Sequence, residues 1–116
     1  MSEITLVKQP ISLDEVKRIA EERFGDMVKA VVDIELDVMA IGASMHADEE
    51  AYLLDRGSKQ ENLWGINIYH ELPMPDRIEF DSMINIRPKQ DNKSRDVESE
   101  DVRSKIVEVV SGLVTE

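Results

Sequence analysis

MVKAVVDIELDVMAIG, residues 27–42, is where the hydrophobic period of the chain changes from about 3.6 residues to 2. Val28, Ala30, Val32, Ile34, Leu36, Val38 and Ala40 take alternate positions, opposed by Lys29, Asp33, Glu35 and Asp37. Sheet strands with one buried face have this pattern. The run is too long for one ordinary strand, which predicts a hairpin or a sharp bend near residues 35–37, although no Gly or Asn marks the turn. An unbroken strand would set Asp33, Glu35 and Asp37 side by side on its outer face. With no oxygen-rich loop around them, a solvated sheet surface is a simpler reading than a cation site.

On the N-terminal side, residues 4–7 form a short β-branched run that reads as a strand and closes at Gln9 and Pro10. A helix follows. Ser12 is its N-cap, Glu15 completes a capping box, and Ile11 with Val16 are spaced as a hydrophobic staple. Leu13, Val16, Ile19, Ala20 and Phe24 share one face, and Gly25 is placed to end the helix.

On the C-terminal side, residues 44–67 hold one of the two histidines, a group of carboxylates and the only tryptophan. As a helix, residues 47–56 have good formers, an acidic first turn and Gly57 as a stop. As a strand, His46, Asp48, Glu50 and Tyr52 project from one face. A divalent-metal site at His46, Asp48 and Glu50 requires the strand. His-x-Asp-x-Glu is no recognised metal signature, so a capped turn with surface acids is the simpler reading. Ser58, Gln60, Trp64 and Asn67 make a further polar cluster on this stretch.

Residues 63–69 read as a strand with Trp64, Ile66 and Ile68 on one face, and Gly65 marks a bulge or a close backbone approach. His70 falls outside by pattern. Residues 72–76 are a connection stiffened by two prolines, and residues 78–86 return as a strand, which predicts an antiparallel hairpin with one face toward water. Residues 87–95 invert the local charge: Arg87, Lys89, Lys93 and Arg95 against Asp91 give +3 in a chain of net charge -11. Arginine forks suit carboxylate or phosphate. A small anion or an acidic partner surface competes there with a solvated turn-rich loop and with an internal ion-pair network to the acids of residues 44–67. The chain closes with a helix over 99–113, capped by Ser99, whose stripe is Val102, Ile106, Val109, Val110 and Leu113, with fraying at Gly112 and Thr115.

At 116 residues the chain has the size of one domain, residues 1–116. Its acidity disfavours nucleic acid and anionic membranes. The absence of cysteine excludes thiolate nucleophiles, thiolate zinc sites and disulfides. No apolar run approaches a membrane span, and residues 1–10 lack the core of a signal peptide, so a soluble cytoplasmic protein is expected.

The segments MVKAVVDIE, MHADEEAYLL, GSKQENLWGIN and INIRPKQDNKSR together resemble a small prokaryotic family carried as a domain of unknown function. The resemblance spans nearly the whole chain and implies a single α+β domain. It implies no activity, so no catalytic residue carries over.

The expected fold is α+β: an antiparallel sheet of four or five mostly sequential strands, with two main helices, about 12–24 and 99–113, packed on one face. Two functions are compatible with it. The first is a binding or interaction module, self-associating, that recognises a protein or small anion through residues 87–95. The second is a small metal-assisted hydrolase using His46, Asp48 and Glu50, with Arg87 and Arg95 holding an anionic substrate. No cofactor is required by either the composition or the motifs.

Overall fold

In the computed structural model, which describes residues 4–116, the elements follow the order β1 (Thr5–Val7), β2 (Ile11–Ser12), α1 (Leu13–Glu21), β3 (Met27–Asp33), β4 (Val38–Ile41), α2 (His46–Leu54), β5 (Leu63–Tyr69), β6 (Ile78–Glu79), α3 (Glu100–Leu113) and β7 (Val114–Thr115). A five-stranded antiparallel sheet has the order β1-β4-β3-β5-β6, and β2 pairs with β7 in a separate parallel two-stranded clasp. The fold is α+β, as expected.

The break in residues 27–42 falls at 34–37, where the carboxylate of Asp33 accepts from the Glu35 and Leu36 amides, both at 2.9 Å. Asp37 then turns the chain at φ 57°, a left-handed conformation that Asp tolerates better than most residues. The turn also shifts the alternation. Val32 pairs with Met39 and Ala30 with Ile41, and cross-strand partners share a face. Met39 and Ile41, rather than Val38 and Ala40, therefore rejoin Val28, Ala30 and Val32.

That face carries the main core. Val28, Ala30, Val32, Ile66 and Ile68 lie against Val16, Ile19 and Ala20 of α1 and Ile106, Val109, Val110 and Leu113 of α3. Each fully buried aliphatic side chain contributes about 1.5–3 kcal/mol relative to exposure. The opposite face was expected to meet water and does not. Val31, Ala40, Leu53 and Leu63 form a second small cluster there, flanked by Tyr52 and Ile84, because α2 and the segment after β6 cover it. Asp33, placed by its spacing on a solvated face, is fully buried.

Ser12 caps α1 by accepting from the Glu15 amide at 3.1 Å. The reciprocal half of the capping box is absent, since the Glu15 carboxylate pairs with Arg18. The helix stops at Glu21, earlier than expected, and the Gly25 amide donates back to the Ala20 carbonyl. Phe24 consequently leaves the buried stripe and is 41% exposed, with the Lys29 ammonium 5.5 Å from its ring. His70 is buried rather than exposed, its Nε2 bonded to the Gly25 carbonyl at 2.9 Å. Of the strand expected over 78–86 only Ile78–Glu79 pairs with β5. Instead of fraying, the C-terminal end forms β7, where the Thr115 hydroxyl donates to the Ile11 carbonyl. No helix among the described residues is long and apolar enough to cross a membrane.

Candidate functional site

Residues 80–98 pair with no strand over most of their length, yet they are anchored by two buried asparagines. Alongside β5, Asn85 takes the place of a neighbouring strand: its Oδ1 accepts from the Gly65 amide at 2.8 Å, and its Nδ2 donates to the Gly65 and Arg95 carbonyls, both at 3.0 Å. Asn92 gathers the loop about itself, with Nδ2 reaching the carbonyls of Asn85, Ser94 and Asp96 while Oδ1 accepts from the Glu98 amide. Gly65 is the close approach its strand position implied, since a Cβ there would lie 2.5 Å from Ser82 Cβ.

This anchoring lays the basic stretch across residues 44–67. The Arg87 guanidinium donates to the Gln60 carbonyl and, at 2.5 Å, to the Leu63 carbonyl. Its carbon stands 4.2 Å from the centroid of the Trp64 ring, a cation–π contact worth about 1–2 kcal/mol when partly desolvated. Gln90 donates to the Glu61 carbonyl at 3.0 Å. A cavity of about 540 Å³ opens between these two strips of chain, lined by Gln60, Glu61, Ile86, Arg87, Lys89 and Gln90. Arg87 has no carboxylate partner among the described residues, and its Nε is buried without a hydrogen bond. Burial lowers its pKa and the charge of Glu50 raises it, but a guanidinium remains charged throughout the physiological range.

The four basic residues do not form one patch. Arg87 and Lys89 line the cavity just described, whereas Arg95 pairs with Asp81 at 2.6 Å on another side. Lys89 and Lys93 are exposed and make no ion pair among the described residues. The network anticipated to the acids of 44–67 is replaced by bonds from Arg87 and Gln90 to backbone carbonyls. The polar cluster likewise divides. Gln60 and Trp64 belong with Arg87, while the Ser58 hydroxyl donates to Asp33 at 2.6 Å and Asn67 Nδ2 donates to Glu79 at 2.8 Å.

His46–Leu54 is a helix, which removes the strand that the metal reading needed. His46 Nε2 bonds the Ile66 carbonyl at 2.7 Å, Glu50 accepts from Gln60 at 3.4 Å, and Asp48 is exposed. Among the described residues no group of three or more His, Asp or Glu side chains is arranged to hold a metal ion. Burial holds the His46 pKa below 6.5, so the ring is neutral at pH 7.

The residue that the sequence reading passed over is Glu49. It is fully buried, and burial pushes its pKa up to about 9. Its Oε2 accepts from the Ala43 amide at 3.0 Å, and Oε1 has no partner among the described residues. The signal lay in the helical spacing of His46, Glu49 and Leu53, all three buried, which puts Glu49 on the inner face.

Comparison with curated proteins and with solved structures found no match. The profile of one family covers residues 5–113, nearly the whole chain, and on that match the chain belongs to the family described as Protein of unknown function (DUF5674).

Proposed function

We propose that this protein is a binding module rather than an enzyme, and that it takes the anionic group of a ligand on Arg87 in the cavity between residues 60–61 and 86–90. The observation that carries the reading is a half-buried guanidinium, fixed by two backbone carbonyls and an indole face, with no carboxylate among the described residues to neutralise it in a chain of net charge -11. Holding the fork in place beforehand lowers the entropy lost when a carboxylate or phosphate docks. Lys89 at the rim adds a second positive charge. Charge keeps nucleic acid and anionic membranes outside the proposal, and cytoplasmic residence and self-association belong to it as expectations.

Trp64 is the only tryptophan, so its fluorescence reads the site directly. Titration with succinate and with inorganic phosphate is expected to give a saturable change that Arg87→Met abolishes and Arg87→Lys weakens, because an ammonium cannot make the fork. A response that rises without saturating, or that persists in Arg87→Met, overturns the reading. Light scattering of the free protein checks self-association.

A further inference from the structure

At the other end of the anchored loop a separate cavity of about 190 Å³ lies between the start of α2 and the turn at 82–84, and Lys29, Ser44, His46, Ser82 and Arg95 supply its polar groups. Its volume equals that of about six waters at ~30 Å³ each. Met45 and Met83, at its apolar edge, are 57% and 65% exposed. Two flexible thioethers side by side at one cavity edge suit contact with an apolar ligand group.

The histidine is the informative member. It is only 8% exposed, and because a carbonyl can only accept, Nε2 must carry the proton that bonds Ile66. That fixes the tautomer and leaves Nδ1 as a lone pair with no hydrogen bond among the described residues. Lys29, Asp81 and Arg95 are the charged groups with the largest influence on the ring, and Glu79 acts on Arg95 from further off. Lys29 has no ion pair among the described residues, and Arg95 is held by Asp81, so these three groups leave one net positive charge beside the histidine. Glu49, lower on the same helix, is protonated by burial and adds no opposing charge. The Met45 side chain does not cap α2, so the helix end adds partial positive charge on the same side, offset in part by the exposed Asp48 carboxylate in its first turn.

We infer that this cavity binds a small carboxylate carrying a hydrogen-bond donor on the adjacent carbon and a short apolar tail. The carboxylate sits between Lys29 and Arg95, the donor bonds His46 Nδ1, and the tail lies along Met45 and Met83. This site is independent of the Arg87 cavity.

The test follows the His46 ring resonances by NMR, assigned with His46→Gln, during titration with 2-hydroxy-4-methylpentanoate and with 4-methylpentanoate, which lacks the donor. Expected is a saturable shift with the hydroxy acid and binding at least about tenfold weaker for the analogue. Lys29→Met and Arg95→Met should each weaken the hydroxy acid by about tenfold or more, whereas Arg87→Met should leave it unchanged. No His46 shift with the wild-type protein at ~20 mM ligand overturns the proposal. Equal affinity for the two acids, or binding indifferent to both Lys29→Met and Arg95→Met, overturns it as well. Loss of hydroxy-acid binding in Arg87→Met alone would transfer the ligand to the other cavity.

Discussion

Glu49 is held as a neutral acid against a pKa of 4.5 when unburied, and the direction of its effect on stability follows from proton counting. Below pH 4.5 both folded and unfolded chains hold the proton, and the contribution of the buried acid is fully present. From there to about pH 9 the unfolded chain is ionised while the folded one is not, so stability falls as pH rises, by at most ~1.4 kcal/mol per unit. Lys29, Asp48 and Arg23 are the charged groups facing it, and each is a smaller influence than burial. Glu49→Gln keeps the acceptor for Ala43 and removes the titration. The variant should be more stable than wild type at pH 8 by about 1–3 kcal/mol, with the difference much reduced at pH 5. Urea unfolding at the two pH values measures this, and a pH-independent difference would refute it. His46 acts in the opposite sense: its lowered pKa means that stability is lost as pH falls through 6.5 and the unfolded chain takes up the proton.

At the scale of elements, the seating of 80–98 on β5 rests on a few contacts that tolerate no substitute. Asn85→Ala leaves the Gly65 amide and carbonyl unpaired in a buried position, while the Arg95 carbonyl keeps the Ser82 amide, at a cost of about 2–4 kcal/mol. Asn85→Asp should give little rescue, because its second oxygen would face the Gly65 and Arg95 carbonyls. Chemical denaturation of both variants checks the pair of outcomes. Gly65→Ala tests the close approach separately. Relief of backbone entropy favours Ala by about 0.5–1 kcal/mol, whereas overlap with Ser82 costs about 1–3 kcal/mol. The backbone of β5 is held by its seven-residue pairing with β3 and cannot retreat, so the clash wins and the variant should be net destabilised. These contacts also explain what pattern reading could not reach. Ser12 and Ser99 mark the starts of α1 and α3 because a cap is a local signal. Asn85 bonds a residue twenty positions away, and no period of two or 3.6 registers that, so residues 78–86 look like one more strand.

For the molecule as a whole, charge is the dominant long-range feature. With 14 basic and 25 acidic side chains the folded state repels itself. Moving from ~20 to ~200 mM salt shortens the Debye length to below about 10 Å, so Tm should rise, and scanning calorimetry at the two concentrations checks it. A falling Tm would mean that ion pairs such as Arg95 with Asp81 outweigh the repulsion. The layering was partly legible: periodicity identified the sheet and the helices at either end, and those helices do share a face. It could not show that α2 covers the other face, since two of the three inner positions of that helix are His46 and Glu49, polar residues that register as surface in a hydropathy reading, and only Leu53 is apolar. The parallel clasp of β2 with β7 was equally hidden, each strand being two residues long. That clasp joins positions 104 residues apart. Tying such a loop in a disordered chain costs on the order of 4 kcal/mol, but once the sheet has brought both ends together the remaining cost is small. Held by only two residue pairs, it is expected to act as a latch that releases without melting the sheet. The amides of Ile11, Ser12 and Thr115 should therefore exchange hydrogen well before those of β3 and β5, which makes the junction of β2 with β7 an early point of entry for a protease or a partner.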